Sequence, residues 1–203
     1  MGNIYYEQHM NRAVFLDRDG TVNVEVGYLS DLAQLRLISG AGAAIKRLND
    51  KGLKVVLVTN QSGVARGYFS ESFVQQTHVL LKQMLLKEGA RIDGIYFCPH
   101  HPKAGNSLYT TACDCRKPGT GMIDRAARDL NIDVKRSFVV GDKWSDVELG
   151  QRAGARSILV NSGFAPDDAG NVRPRDLNEP DFIAHTITEA VEWILLQTSQ
   201  EER

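Results

Sequence analysis

The stretch Ala13-Val14-Phe15-Leu16-Asp17-Arg18-Asp19-Gly20-Thr21 decides the fold. Its first four residues form an apolar run that predicts a short buried strand, and two carboxylates two positions apart follow directly. Residues at this spacing project to the same side of an extended backbone, and Gly20 permits a sharp turn after them. Because like charges repel, the pair favours a hard divalent cation beside a phosphate. A solvated acidic turn, which is common after strands, is the less favoured alternative for this segment taken alone.

The other apolar runs alternate with helical patterns. Further strands are predicted at Leu53–Val58, Ile92–Phe97, Phe138–Val140 and Ser157–Val160. Helices are predicted at Ala41–Asn49 (closed by Gly52), from the N-cap Ser70 to Glu88, and at Met122–Leu130, Asp146–Ala153 and Thr186–Gln197. Gly163–Pro180 has the composition of a surface loop. Apolar strands separated by helices predict a doubly wound parallel α/β sheet, which binds ligands at the carboxyl ends of its strands.

Size and composition narrow the class of protein. The 203 residues (22.5 kDa) fit one domain, residues 1–203, and a net charge of −1 predicts no general attraction to nucleic acid. No apolar run approaches the ~18 residues of a membrane span, and Met1–Arg12 lacks the apolar core of a signal peptide. We therefore expect a cytoplasmic monomer whose partners are neither nucleic acid nor membrane.

Three more polar segments carry chemistry. Thr59-Asn60-Gln61-Ser62-Gly63 follows the second strand with hydroxyl, amide and backbone N–H groups that suit phosphate oxygens. Arg116-Lys117-Pro118-Gly119 supplies two cations that can neutralise a phosphoryl group. Gly141-Asp142-Lys143-Trp144-Ser145-Asp146 follows the fourth strand, where Asp142 can be a third metal carboxylate. Asp146 is either a supporting group behind the metal ligands or a helix-capping anion.

Each segment alone could be an ordinary polar turn, but together they predict a phosphoryl-transfer site. The chain has no G-x-x-x-x-G-K-[ST] loop, so a P-loop enzyme is excluded. A carboxylate can itself act as the nucleophile and form an aspartyl phosphate.

A second metal pattern lies between the third strand and Arg116. Cys98-Pro99-His100 and Cys113-Asp114-Cys115 enclose twelve residues and contain all three cysteines. Two close ligand pairs across a loop are typical of a closed, structural zinc site, with Cys98, His100, Cys113 and Cys115 as ligands. The neighbouring His101 is an alternative to His100, and a set of buried thiols without metal is the simpler alternative. Loop 98–115 would fix the two cations that follow it.

Four of these motifs, in this order, resemble the haloacid dehalogenase (HAD) superfamily of phosphatases: Asp17-x-Asp19-Gly20-Thr21, Thr59-Asn60, Lys117-Pro118 and Gly141-Asp142-x-x-x-Asp146. The resemblance covers about Val14 to Pro166. It implies that Asp17 attacks phosphorus and that Asp19 protonates the leaving oxygen, then activates water. It also implies Mg²⁺ held by Asp17, the Asp19 carbonyl and Asp142, with Thr59 and Lys117 against the phosphoryl oxygens.

Together with the zinc loop, these motifs are similar to the branch of histidinol-phosphate and heptose-bisphosphate phosphatases. Val22–Gly40 is too short for a cap domain and the zinc loop occupies the other usual insertion point, so the resemblance implies an uncapped Rossmann-like domain with an open site. Within the branch we favour a sugar bisphosphate of surface-heptose synthesis as substrate; alternatives are histidinol phosphate and a non-catalytic sugar-phosphate-binding module. Substrate contacts are expected from nine residues: Glu25, Val26, Gly27, Tyr28, Asn60, Gln61, Ser62, Arg116 and Lys143.

Overall fold

A computed structural model describes residues 10–105, 108–161 and 171–201. Within them the strands are β1 (Ala13–Leu16), β2 (Lys54–Asn60), β3 (Gly94–Cys98), β4 (Phe138–Gly141), β5 (Arg156–Val160) and β6 (Phe182–Ala184). They form one sheet in the order β3-β2-β1-β4-β5-β6, and every pairing is parallel. The expected doubly wound parallel sheet is confirmed.

Helices cover both faces of the sheet. They are α1 (Ala41–Asp50), α2 (Glu71–Lys87), α3 (Gly121–Leu130), α4 (Trp144–Ala153) and α5 (Ile187–Glu201). Alternate residues of β1 divide between two cores: Val14 and Leu16 pack in the core that includes α1, α2 and α5, while Ala13 and Phe15 pack in the core that includes α3 and α4. Because both faces are buried, the strands are apolar throughout rather than alternating.

The predicted elements are all present, with small shifts at their ends. Ser70 is the N-cap of α2, since its hydroxyl accepts a hydrogen bond from the Phe73 N–H at 3.1 Å. Strand β6 was not predicted, because three residues are too few to show a period. Of the expected loop Gly163–Pro180, residues 163–170 lie outside the described residues, and 171–180 form neither helix nor strand.

The order of the strands sets the position of the site. β1 lies between β2 and β4, where the direction of the crossovers reverses, and the Asp17 N–H donates to the Val140 carbonyl oxygen at 2.9 Å. Between β1 and α1 the only helical segment is the 3₁₀ turn Leu32–Gln34, so no cap domain covers this edge among the described residues. Among the described residues 10–105, 108–161 and 171–201, none of the helices has the length and apolar character needed to cross a membrane.

Candidate active site

The buried ammonium of Lys117 lies at the centre of the site. Its Nζ is 2.8 Å from Asp17 Oδ1 and 2.5 Å from Asp146 Oδ1, and it donates to the Val58 carbonyl oxygen at 3.1 Å. Burial opposes the charge, but the carboxylates of Asp146 and Asp17 outweigh burial and raise the pKa of Lys117. The side chain is therefore a fixed positive charge against Asp17, as its expected role with phosphoryl oxygens requires.

Three carboxylates converge beside this ammonium. Asp17, Asp142 and Asp146 each offer an oxygen within 4.8 Å of the others. Both oxygens of Asp142 are buried and have no hydrogen-bond partner among the described residues. Burial, followed by the charges of Asp17 and Asp146, raises the pKa of Asp142 to about 8. A divalent cation would relieve both problems, because it supplies opposite charge and accepts oxygen ligands. The residues present therefore fit Mg²⁺.

Asp146 combines the two roles that the sequence left open. Its Oδ2 accepts a hydrogen bond from the Lys143 N–H at 3.2 Å, which caps the start of α4, and its Oδ1 pairs with Lys117. Because one carboxylate joins a helix N-terminus to the central cation, α4 and Lys117 hold each other in place.

The carboxylate of Asp19 lies in a separate polar network. Nε and Nη2 of Arg18 contact both of its oxygens at 2.8–3.1 Å. Asn23 Nδ2 donates to Oδ1 at 2.9 Å, and Gln61 Nε2 donates to Oδ2 at 2.8 Å. Burial alone would raise the pKa of Asp19, but Arg18 and the two amides outweigh it and lower the pKa. The carboxylate is thus held ionised and outside the Asp17–Asp142–Asp146 cluster.

Sequence reasoning missed three members of this network: Arg18, Asn23 and His78. Arg18 is only 2% exposed, and its Nη1 lies 3.2 Å from Nε2 of the buried His78 on α2. Arginine is rarely buried without acceptors, but sequence alone gives no sign that Arg18 points inward. Only the tertiary structure places a helix histidine sixty positions away against it.

The polar residues at the end of β2 make hydrogen bonds within the protein, and their predicted contacts with substrate stay a prediction. The side chain of Asn60 pairs with the backbone of Lys117, accepting from its N–H at 3.0 Å and donating to its carbonyl oxygen at 3.3 Å. Gln61 Nε2 donates to Asp19 and, at 2.9 Å, to Thr59 Oγ1. Both amides therefore hold residues that the sequence predicts to be catalytic, whereas Ser62 is part-exposed at the same edge.

Three of the residues expected to contact substrate, Glu25, Gly27 and Lys143, are joined by hydrogen bonds. Lys143 Nζ donates to Glu25 Oε2 at 3.3 Å, and Glu25 Oε1 accepts from the Gly27 N–H at 2.7 Å. Burial opposes the charge of Lys143, but Asp17, Asp142 and Glu25 outweigh it and raise the pKa. Lys143 is therefore a second cation close to the carboxylate cluster. Val26 follows Glu25 and is exposed.

Tyr28, another expected substrate contact, packs against Tyr68 and Arg66. Its ring meets Tyr68 edge-on at 4.7 Å, and the guanidinium of Arg66 lies 5.8 Å from its centre. Arg66 was not predicted as a site residue, because a lone arginine in a Gly-rich segment carries no pattern. Arg66 Nη2 is also 3.3 Å from His101 Nε2, so Arg66 contacts both Tyr28 and the predicted zinc loop.

The four predicted zinc ligands lie together. Cys113 Sγ is 3.5 Å from Cys98 Sγ and 3.2 Å from Cys115 Sγ, while His100 Nδ1 is 3.7 Å from Cys98 Sγ and 3.5 Å from Cys115 Sγ. Neighbouring ligand atoms of a tetrahedral zinc site are about 3.5–3.8 Å apart, given Zn–S of about 2.3 Å and Zn–N of about 2.0 Å. Burial raises the pKa of the Cys98 and Cys115 thiols, so a bound metal must displace their protons.

His101 faces away from the thiols. Its Nδ1 accepts a hydrogen bond from the Lys103 N–H at 3.1 Å, and its Nε2 is near Arg66. The geometry thus favours His100 in the cluster. Arg116 Nη1 donates to the His100 carbonyl oxygen at 3.2 Å, which connects the cluster directly to the predicted substrate-binding arginine.

Substitution of Gly20 tests whether Asp142 helps to bind Mg²⁺. Gly20 has φ +84°, and a Cβ there would overlap the Asp142 carboxylate. We expect Gly20→Ala to displace Asp142 and to raise the dissociation constant of Mg²⁺ at least about tenfold, equivalent to 1.4 kcal/mol, in calorimetric titration. Gly52→Ala is the matched control, because Gly52 has φ +79° and open space around it. Equal losses in both variants would contradict the assignment of Asp142.

The cysteine cluster predicts the metal content of the protein. Protein prepared without chelators should contain about one zinc per chain by elemental analysis. Cys113→Ser should lose most of this zinc and lower the thermal midpoint, because a structural metal stabilises only the folded chain. His101→Ala should keep its zinc, since His101 faces away from the cluster. Zinc loss from the His101 variant alone would reverse the ligand assignment.

The comparisons with known proteins agree with this geometry. Residues 114–190 match the HAD-hydrolase-like family. A D-glycero-beta-D-manno-heptose-1,7-bisphosphate 7-phosphatase of Haemophilus ducreyi is 43% identical over 185 residues, covering 90% of this chain and 98% of that protein. A D-glycero-D-manno-heptose-1,7-bisphosphate 7-phosphatase of Thermosynechococcus vestitus is 44% identical over 186 residues, covering 90% and 94%.

A solved structure gives the same result. The D,D-heptose 1,7-bisphosphate phosphatase of B. bronchiseptica, complexed with magnesium and phosphate, superimposes with a TM-score of 0.78 at 30% identity, covering 92% of this chain and 99% of that one. This chain therefore belongs to the HAD-like phosphatases, which are phosphoric monoester hydrolases, and within them to the family of the heptose-1,7-bisphosphate 7-phosphatases.

Proposed function

We propose that this chain removes the 7-phosphate of D-glycero-D-manno-heptose 1,7-bisphosphate, as a cytoplasmic monomer in lipopolysaccharide heptose synthesis. The substrate follows from the names of relatives that match most of this chain. The observation that carries the chemistry is the 2.8 Å contact between Lys117 Nζ and Asp17 Oδ1, beside the unpartnered oxygens of Asp142.

In the first step, an oxygen of Asp17 attacks phosphorus. A new P–O bond forms to Asp17 while the bond to the sugar oxygen breaks, and that oxygen keeps the electron pair and takes a proton from Asp19. Lys117 and the hydroxyl of Thr59 contact the phosphoryl oxygens, where negative charge must be balanced. The product of this step is the aspartyl phosphate and the free sugar hydroxyl.

In the second step, the aspartyl phosphate is hydrolysed. Asp19, now ionised, takes a proton from water, and the water oxygen forms a bond to phosphorus. The bond between phosphorus and Asp17 breaks, its electron pair returns to the carboxylate, and inorganic phosphate leaves. The proton that Asp19 takes from water in this step is the proton that it gives to the leaving oxygen in the next turnover. The lowered pKa of Asp19 favours that transfer, because a carboxylic acid of low pKa releases its proton readily.

Mg²⁺ would be held by the Asp17 carboxylate, the Asp19 backbone carbonyl and Asp142. When bound, it supplies positive charge to the phosphoryl oxygens. Lys117 offsets the charge of Asp17 and Asp146, which leaves Asp142 as the carboxylate without a protein partner. The same pattern explains why three acidic groups can be buried together.

We further propose that the cluster of Cys98, His100, Cys113 and Cys115 binds zinc in a structural role. Four protein ligands leave no open coordination position, so this zinc would take no part in hydrolysis. Its effect reaches the site through the hydrogen bond from Arg116 to His100 and through the two-residue step from Cys115 to Lys117.

A comparison of substrates tests the proposed activity. With Mg²⁺, we expect the chain to convert heptose 1,7-bisphosphate to the 1-phosphate, and ³¹P NMR can monitor this conversion for each anomer. The value of kcat/KM should be at least about tenfold above that for histidinol phosphate. Asp17→Asn should be inactive on both, because an amide is not a nucleophile toward phosphorus.

Each other result has a distinct meaning. Preference for histidinol phosphate would contradict the substrate, and activity of Asp17→Asn would contradict the nucleophile. No turnover of either substrate would favour a binding module instead of an enzyme.

We expect substitutions of the neighbouring cations Arg116 and Lys117 to have different effects, because only the bisphosphate carries a second phosphate, distant from the phosphorus under attack. Arg116 can hold that phosphate or sugar hydroxyls with its planar fork, so Arg116→Ala should reduce kcat/KM for the bisphosphate by about 1.5–3 kcal/mol, roughly ten- to a hundredfold. The loss for 4-nitrophenyl phosphate should be much smaller. Lys117→Ala should reduce kcat/KM for both substrates by a similar factor, because Lys117 contacts the phosphoryl group that both contain.

Arg116→Lys is the matched variant for this experiment. It keeps the charge but not the fork, so it should recover only part of the bisphosphate activity. Equal losses for both substrates in Arg116→Ala would place specificity elsewhere, with Glu25–Tyr28 and Lys143 as the next residues to change.

A further inference from the structure

His78 is a buried polar side chain that the proposed steps do not use. It lies on α2, is 7% exposed, and its ring meets Phe97 of β3 edge-on at 5.5 Å. Its Nε2 is 3.2 Å from Nη1 of Arg18. The histidine thus touches neither Asp17 nor Asp142 in the hydrogen bonds of the described residues, but it touches the arginine that holds Asp19.

The partner of His78 fixes its protonation state. A guanidinium can only donate hydrogen bonds, so Nε2 must be the unprotonated, accepting nitrogen. Burial, followed by the charge of Arg18, lowers the pKa of His78 to about 3, in agreement with a neutral ring. His78 is therefore a fixed acceptor near neutral pH and does not transfer protons itself.

Arg18 divides its donors between two acceptors on opposite sides. Nη1 faces His78, while Nε and Nη2 face the carboxylate of Asp19. Because the guanidinium is planar and rigid, an acceptor at Nη1 fixes the direction in which the other edge points. Removal of that acceptor would leave a buried N–H unsatisfied, and the guanidinium could turn or shift toward another oxygen.

We propose that His78 is a positioning residue that, through Arg18, fixes the location of the Asp19 carboxylate. The inference rests on the proposed role of Asp19 in proton transfer. When the bond from phosphorus to the leaving oxygen breaks, that oxygen takes the electron pair and the Asp19 proton, so a misplaced carboxylate slows this transfer. Asp17 accepts a hydrogen bond at 2.7 Å from the backbone N–H of Arg18, which does not depend on the Arg18 side chain. In the hydrogen bonds of the described residues, neither Asp17 nor Lys117 contacts the Arg18 guanidinium or the His78 ring, so we expect attack by Asp17 and the charge of Lys117 to be unchanged.

This reasoning predicts a leaving-group effect. 4-Nitrophenolate is a weakly basic leaving group that needs little protonation, whereas the phenolate released from phenyl phosphate is more basic. The value of kcat/KM reports the steps through departure of the leaving group, so its ratio between 4-nitrophenyl and phenyl phosphate measures dependence on the acid. We expect His78→Leu to raise this ratio about tenfold, a part of the 10²–10⁴ that general acid catalysis supplies.

Two variants separate positioning from stability. His78→Gln supplies an amide oxygen to Arg18 and should return the ratio to within about threefold of the unchanged protein. Thr77→Val removes the 3.0 Å hydrogen bond from a buried neighbouring hydroxyl to the Phe73 carbonyl oxygen, without contact to Arg18. It should lower stability but leave the ratio unchanged. An equal loss on both substrates in His78→Leu, or no rescue by His78→Gln, would overturn the proposal.

Asp19→Asn is the reference for the underlying assignment. It should raise the ratio more than His78→Leu does. If Asp19→Asn raises the ratio and His78→Leu does not, the positioning role fails while the proposed function stands. If Asp19→Asn leaves the ratio unchanged, the acid assignment fails and the inference with it. Should His78→Leu not fold by circular dichroism, Arg18→Lys, which cannot reach both acceptors, must raise the ratio; an unchanged ratio would overturn the inference.

Discussion

The buried ammonium of Lys117 is the constraint on which the site depends. Asp17, Asp142 and Asp146 gather at one edge of the sheet, and carboxylates this close could not stay ionised in a buried site without opposite charge. Lys117 pairs with two of them and also with the β2 backbone, and its own backbone is held by the amide of Asn60. One side chain therefore links the ends of β1 and β2 to the start of α4, and leaves the third carboxylate for a cation.

The position of Lys117 depends in turn on a long segment between β3 and α3. This segment has no helix or strand among its described residues, so ordering it costs conformational entropy. Zinc bound at the cysteine cluster would offset part of that cost, because Cys113 lies 3.5 Å from Cys98 of β3 and a shared metal would connect the end of the segment to the sheet. The chain then turns tightly, since a Cβ at Gly119 would overlap the backbone of Asp114. The proposed zinc site and the proposed catalytic lysine thus share one short piece of backbone.

Sequence predicted which polar residues lie together at this edge of the sheet, because their types and their places at strand ends are local features. Asp17, Thr59 and Asp142 each follow an apolar run, and parallel strands bring such ends together. Substrate contacts of Asn60 and Gln61 stay a prediction, and in the structure their amides contact Lys117 and Asp19. Sequence cannot decide between these outcomes, because a polar side chain at a strand end can point to the ligand or to its neighbours. Arg18 and His78 were missed for a related reason: their contact joins β1 to the middle of α2 and has no local pattern.

The two aspartates of the first motif show how neighbours give one residue type two roles. Asp17 lies against a lysine and the cation-binding carboxylates, which suits a nucleophile that must stay close to phosphorus. Asp19, two positions later, lies in a network of an arginine and two amides, which suits a group that exchanges protons with the leaving oxygen and water. The residue between them is left open in the family pattern, yet here it is Arg18, a buried cation that is only 2% exposed. The chemical difference between the two carboxylates is therefore set by the side chain that separates them and by the helix histidine behind it.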